Sequence, residues 1–279
     1  ELGILPDKNE TAPQKLKFKK IIMVVLESFA NEYLSKYNPR IPPEASYYMD
    51  NLITEYPHLD NFYTSDFPSL EGFNAILSGR IPLRHDLKQK QNYNIATIFE
   101  NNIASDSTFF LRGSSRVYGG EELTILNKFG FSNLIGYEDL VGNYPEPHRY
   151  TWGYRDDVLY TEALKIMNIR KEKSSLIILK LLNQHQPISK SVINMVDMPL
   201  SVKDDTSDIV KAIYEANRQL EIFISTMKSE NLLDDETLII VTADHYPPLG
   251  YGHTEITDEQ SHFQLGKLPL IFVANNKDY

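Results

Sequence analysis

At 279 residues, 42% hydrophobic and 24% charged, the chain can bury a sizeable core, as one large domain or one plus an appendage. It has no cysteine, which excludes disulfides, thiolate zinc sites and cysteine nucleophiles. A net charge of −10 argues against general affinity for nucleic acid or anionic membranes, so an anionic substrate would need local cations, which a bound metal can supply.

Residues 1–17, with two prolines and scattered charge, read as a lead-in arm, and 18–279 as the folded domain. Residues 18–26 are short, β-branched and apolar, and read as a buried strand. A helix is expected over 44–56 and a short strand at Asn61-Phe62-Tyr63. Pro68 suits a helix start, and Leu70, Phe73, Ile76 and Leu77 carry helical spacing over 70–78. Next come a helix over 92–102, a strand over 107–112 and a helix over 119–129 that Gly130 would stop. Helix 155–170, strand 174–182, amphipathic helix 206–229, strand 236–243 and a last strand at Leu268–Ala274 complete the order. Alternating elements with near-continuous apolar strands predict an α/β fold, a mostly parallel central sheet with helices on both faces.

No apolar run approaches the ~20 residues of a membrane span. No signal peptide is visible, and the chain begins at Glu1 without a methionine. We therefore expect a piece of a longer, processed protein.

Four segments carry candidate chemistry, three of them at the C-terminal ends of apolar strands, where open α/β sheets place their ligands. Glu27 closes the first strand; it reads as a metal ligand or as an acid favoured by a following helix dipole. Ser69 reads as a helix cap or as a nucleophile whose oxygen a metal activates. Asp244-His245 ends an apolar run, where two polar residues are costly to bury unless paired or metal-bound. Both reach one metal only if the chain turns, and Tyr246-Pro247-Pro248 supplies a turn. His185 reads as a loop residue or as an acid–base group beside the leaving oxygen. His253 is a second-metal ligand, a substrate contact or a plain loop histidine. Trp152, the only tryptophan, reads as core packing or a substrate contact. Arg112 and Arg116 flank Gly113-Ser114-Ser115, and either an arginine grip on phosphate or solvated charge fits.

Taken in order, five segments resemble the alkaline-phosphatase superfamily, and within it the sulfatase-like branch of lipoteichoic acid synthases and phosphoglycerol transferases. They are Val24-Val25-Leu26-Glu27-Ser28, Ser69-Leu70-Glu71-Gly72-Phe73, Trp152-Gly153-Tyr154-Arg155-Asp156-Asp157, Asn183-Gln184-His185-Gln186-Pro187 and Thr242-Ala243-Asp244-His245-Tyr246.

The resemblance implies one divalent ion, most often manganese in this branch with zinc or magnesium as alternatives, held by Glu27, Ser69, Asp244 and His245. One ion against two turns on His253. Ser69 would be the nucleophile, with His185, Arg116, His253 and Trp152 on the substrate side. The branch usually has threonine at the nucleophile and a tryptophan–arginine pair near Arg112–Glu121; this chain has serine and lacks that tryptophan. Formylglycine sulfatases need proline or alanine two residues after the modified position, and Glu71 stands there, so no such modification is expected.

The implied activity is transfer of a phosphoglycerol- or phosphoethanolamine-type head group from a phospholipid to a glycan or lipid hydroxyl. The alternatives are a phosphodiesterase, phosphomonoesterase or sulfatase-like hydrolase of the same superfamily, and a non-catalytic binding module. The branch also implies an extracytoplasmic domain of a membrane-anchored parent, with membrane contact through segments not present here. The chain stops soon after Leu268-Pro269-Leu270-Ile271-Phe272, where many relatives continue, so a C-terminal portion is expected to be absent or short.

Overall fold

The computed structural model describes residues 18–64, 69–79, 95–102, 106–117, 129–144, 148–193, 197–205, 207–247 and 266–275. Outside these lie the lead-in arm, Pro68, His253 and nearly all of the helix expected over 119–129. Gly130 is described, at φ 72°, in the left-handed region that glycine adopts at little cost.

Six strands form the central sheet: β1 (Lys20–Leu26), β2 (Thr108–Arg112), β3 (Asn133–Ile135), β6 (Ser175–Lys180), β7 (Thr237–Ala243) and β8 (Ile271–Ala274). Their spatial order is β3-β2-β6-β1-β7-β8. All neighbours pair parallel except β7 and β8, so the sheet is mostly parallel with one antiparallel edge.

The apolar runs alternate between two cores, as a two-residue period requires. Ile22, Val24 and Leu26 of β1, with Ile177, Leu179, Ile239 and Val241, face one core. That core is closed by α1 (Pro43–Glu55), α5 (Asp156–Ile169) and α8 (Asp208–Ser229). Met23 and Val25, with Leu176 and Ile178, face the other, under α2 (Ser69–Ser78) and α3 (Ile95–Asn102). Helices thus cover both faces, as expected. Each fully buried branched side chain in these layers contributes about 1.5–3 kcal/mol.

Several small elements were not foreseen. They are α4 (Tyr137–Leu140), α6 (Lys190–Ile193), α7 (Leu200–Lys203), and a hairpin of β4 (Arg149–Tyr150) with β5 (Gly153–Tyr154). Two-residue strands carry no readable periodicity. The expected strand at 61–63 is instead a segment with isolated bridges, Tyr63 to Lys267 and His58 to Ile271. Pro57 and Pro269 lack the N–H a continuous ladder needs. No described helix is long and apolar enough to cross a membrane.

Candidate active site

The β1–β7 register brings two acids together. Leu26 pairs with Ala243 at the end of the ladder, and the Asp244 amide still donates to the Leu26 carbonyl at 3.1 Å. The next residue on each strand is an acid, so Glu27 and Asp244 leave the same C-terminal edge of the sheet. The chain then turns at Ser28, whose φ of 49° is uncommon for a residue with a side chain. The Ser28 N–H donates to Asp244 Oδ1 at 2.9 Å, and its hydroxyl donates to Glu27 Oε1 at 2.7 Å.

His245 sits in the bend that follows β7. Its Nδ1–H donates to the Tyr246 carbonyl at 2.6 Å, a bond that turns Nε2 toward the two acids, where a metal would take the place of its proton. Nε2 lies 3.1 Å from Ser69 Oγ, 3.5 Å from Glu27 Oε1 and 3.6 Å from Asp244 Oδ2. Ser69, the first residue of α2, places Oγ 3.3 and 3.2 Å from the two Glu27 oxygens.

These atoms fit a metal shell. Glu27, Asp244 and His245 are each 2% exposed, and each offers one ligand atom within 4.8 Å of the others. A tetrahedral shell with bonds of about 2.1 Å has ligand–ligand edges of about 3.4 Å, close to the spacings seen here. Asp244 Oδ2 is buried with no hydrogen-bond partner. An unpaired buried carboxylate oxygen is costly, and a cation there would satisfy it.

The charges point the same way. Burial pushes the Glu27 carboxyl up, but the hydrogen bond and charge of His245, with Lys180 and His185, override it and hold Glu27 below the usual carboxylate range. Burial and the adjacent Glu27 charge push Asp244 up. Burial disfavours the His245 cation, yet Asp244 and Glu27 raise it to about 9. Two carboxylates in one dry shell need a cation beside them to stay charged, a part that the His245 cation plays here and that a bound metal would take over.

The shell opens into a cavity of about 490 Å³, lined by Glu27, Ser69, Arg112, Tyr150, Trp152, Lys180 and His185 among others. His185 donates from Nδ1 to the Gln186 carbonyl at 2.8 Å and lies against Trp152, ring centroids 4.2 Å apart. Arg112 is buried, with Nε donating to Ser114 Oγ at 2.8 Å, and it pairs in register with Lys180 across β2 and β6. Arg116 is not among the cavity's lining residues; its guanidinium faces Asp139 at 3.3 Å and Glu138 at 4.0 Å.

Close backbone approaches hold these parts in place. A Cβ on Gly72 would meet the Asp244 carbonyl oxygen at 2.1 Å, so only glycine lets α2 come near enough to set Ser69 beside the triad. Gly113 and Gly153 meet in the same way, and Tyr154 N–H donates to the Gly113 carbonyl at 2.9 Å, which seats the β4–β5 hairpin over the cavity.

Lys180, Tyr150 and the role of Gly72 escaped the sequence reading. A lone lysine inside the apolar run Leu176–Leu182 was a legible signal, because a buried cation needs a reason.

Asp156 anchors the His185 loop. It accepts from Leu182 N–H at 2.8 Å and Asn183 N–H at 3.3 Å, and its own N–H donates to Asn183 Oδ1 at 3.2 Å. Burial pushes its carboxyl up to about 7 against those two bonds. Asp156→Ala strands two buried N–H groups, at about 1–3 kcal/mol each. We expect a loss of about 2–5 kcal/mol in chemical denaturation; a variant as stable as the parent would remove the anchoring role.

The sulfatase family model matches residues 19–275. Comparison with curated protein sequences gives no significant match. An alkaline phosphatase superfamily protein from Vibrio parahaemolyticus superposes with a TM-score of 0.71 at 18% identity, covering 94% of this chain and 61% of that one. The lipoteichoic acid synthase LtaP from Listeria monocytogenes gives 0.73 at 17%, covering 94% and 67%. The phosphoglycerol transferase GacH from Streptococcus pyogenes, in complex with sn-glycerol-1-phosphate, gives 0.65 at 11%, covering 95% and 70%. At these identities the structures establish a shared fold, and the chain spans about two thirds of their lengths. With a family model running along nearly all of its length, this protein belongs to the sulfatase family, on the fold of the alkaline phosphatase superfamily.

Proposed function

We propose that the chain is the catalytic part of a metal-dependent phosphotransferase. It moves a phosphoglycerol- or phosphoethanolamine-type head group from a phospholipid to a glycan or lipid hydroxyl through a phospho-Ser69 intermediate. The observation that carries this reading is Ser69 Oγ, 3.1–3.3 Å from His245 Nε2 and both Glu27 oxygens, at the mouth of a cavity holding two buried cations.

Glu27, Asp244, His245 and Ser69 would hold the ion, with manganese favoured by the sequence resemblance. When bound, a divalent cation supplies charge neutralisation and acidifies the hydroxyl it touches. Ser69 gives up its hydroxyl proton to solvent and its oxygen attacks phosphorus, to leave again unprotonated in the second step. The N-terminus of α2 favours the arriving anion. Arg112 and Lys180 take the non-bridging oxygens, so Arg112 rather than Arg116 fills the substrate-arginine role in this reading. The bond to the lipid oxygen breaks, and His185 gives that oxygen a proton. In the second step His185 takes a proton from the acceptor hydroxyl, which attacks phosphorus and releases Ser69. Phosphoryl chemistry of this kind depends chiefly on positioning and charge neutralisation. Glu71 after Ser69-Leu70 supports an unmodified serine, which suits phosphoryl transfer better than sulfate-ester cleavage. In this reading the domain faces outside the cytoplasm, beside the membrane that supplies its donor.

The test is intact-protein mass spectrometry after incubation with manganese and vesicles of phosphatidylglycerol and phosphatidylethanolamine. We expect a head-group phosphate adduct that maps to Ser69. Vesicles left unconsumed, with no adduct, would overturn the reading. Consumption without acceptor-dependent product would make the protein a hydrolase.

A further inference from the structure

The segment Trp152-Gly153-Tyr154-Arg155-Asp156-Asp157 supplies the cavity with Trp152 and the His185 loop with its anchor, Asp156. Its two remaining charges, Arg155 and Asp157, meet where β5 runs into α5. Arg155 donates from Nη2 to Asp157 Oδ2 at 2.7 Å and from Nε to Oδ1 at 3.1 Å. A guanidinium laid on both oxygens of one carboxylate fixes direction as well as distance. His148 joins from the other strand, with Nδ1 2.8 Å from the same Oδ2. The backbone ties the same two points, since Arg155 N–H donates to the His148 carbonyl at 2.9 Å. Arg155 Nη1 also donates to the Ser191 carbonyl of α6 at 3.2 Å.

The place of this clasp is informative. β4 begins at Arg149 and β5 ends at Tyr154, so His148 and Arg155 face each other across the open end of the hairpin. A two-stranded hairpin is at best marginally stable alone, and this one has two residues per strand. It needs a fastening where the strands part. Burial pushes the Asp157 carboxyl up, but Arg155 and His148 hold it below the usual carboxylate range, so the fastening stays charged.

Trp152 stands at the opposite, closed end, against His185 with ring centroids 4.2 Å apart. Between the two charges of the clasp lies Asp156, which holds the His185 loop through the Leu182 and Asn183 amides. Three consecutive residues therefore fix both partners of one ring contact. Arg155 and Asp157 secure the hairpin that carries Trp152, and Asp156 secures the loop that carries His185.

We propose that Asp157 and His148 are positioning residues, whose clasp sets the hairpin so that Trp152 holds the His185 ring beside the leaving oxygen. This rests on the phosphotransfer reading above, in which the bond from phosphorus to the lipid oxygen breaks and that oxygen takes the His185 proton. Neither residue touches the substrate. Their effect passes through Trp152 and should fall on kcat more than on KM.

The test compares manganese-loaded His148→Ala, Asp157→Asn and His148→Asn with the parent. The substrates are phosphatidylglycerol vesicles, whose alcohol needs a proton to leave, and a p-nitrophenyl phosphodiester, whose phenolate does not. In His148→Ala and Asp157→Asn, kcat on the lipid should fall about tenfold, with KM within about twofold. On the p-nitrophenyl ester both constants should stay within about twofold, because a displaced acid costs little where no proton is required. His148→Asn keeps an N–H donor near the Nδ1 position and should recover most of the loss. Trp152 is the sole tryptophan, so acrylamide quenching of its emission reads the hairpin directly, and should rise in the first two variants. His148→Ala leaves the Arg155–Asp157 pair intact, so it tests the point even if Asp157→Asn fails to fold.

Equal slowing of both substrates, or a change in KM alone, would overturn the positioning of His185. Unchanged quenching of Trp152 would overturn the clasp, whatever the kinetics. A parent that consumes neither substrate would sink the phosphotransfer reading, and the proposed role of the clasp in catalysis with it. Increased quenching in that case would still establish the clasp as the fastening of the hairpin.

Discussion

Ser69→Ala should abolish head-group transfer, by about 10³-fold or more, while one divalent ion remains bound. Three ligand atoms survive the change, from Glu27, Asp244 and His245, and all three residues are buried at the C-terminal edge of the sheet. Lost with the hydroxyl is the oxygen that forms the covalent bond. Serine to alanine at the first residue of a helix is sterically mild, and the fold should survive it. Two numbers decide the matter, metal content by elemental analysis and lipid consumed per hour. Undiminished turnover would remove Ser69 as nucleophile. Loss of the ion together with activity would make Ser69 chiefly a ligand.

Gly72→Ala should be nearly as damaging, although residue 72 bears no chemistry. In an exposed helix this change stabilises, by about 1 kcal/mol. Here the added methyl would sit 2.1 Å from the Asp244 carbonyl oxygen and 2.8 Å from its carbon, both backbone atoms of the residue that directly follows β7, whose amide is tied to Leu26. Neither can move away cheaply, so α2 must shift and carry Ser69 with it. A displacement of about 1 Å at a reacting atom can cost about 100-fold. We expect turnover to fall by about 100-fold, the melting temperature to drop, and the affinity for metal to weaken. A variant that is both fully active and more thermostable would show that the helix accommodates the methyl and that the close approach is dispensable.

Much of the sheet was legible because β1, β6 and β7 are buried on both faces and therefore read as nearly continuous apolar runs. The ends of those runs located Glu27, Asp244-His245 and the His185 loop, and helical spacing located Ser69. Their convergence was not legible from spacing alone. It depends on the Leu26–Ala243 register and on Gly72, a contact between residues far apart in the chain. Arg112 and Arg116 were equivalent as sequence, since each flanks the same Gly-Ser-Ser. Only the fold separates them, by burying the first in the sheet and turning the second toward Glu138 and Asp139. Trp152 stood out by its rarity. Tyr150 did not, as one of 17 tyrosines, and its unpartnered hydroxyl is a property of three-dimensional packing.

The segment that failed to become a strand has a consequence of its own. Residues 57–64 lie along the outer side of 266–272, where Phe272 donates to Pro57, Leu59 to Leu270, Thr64 to Gly266 and Leu268 to Phe62. The Phe272 amide, which β8 would otherwise turn outward, is thereby engaged within the same chain. At the opposite border β3 is three residues long. A sheet with one border sheathed and the other too short to template a neighbour resists edge-to-edge polymerisation.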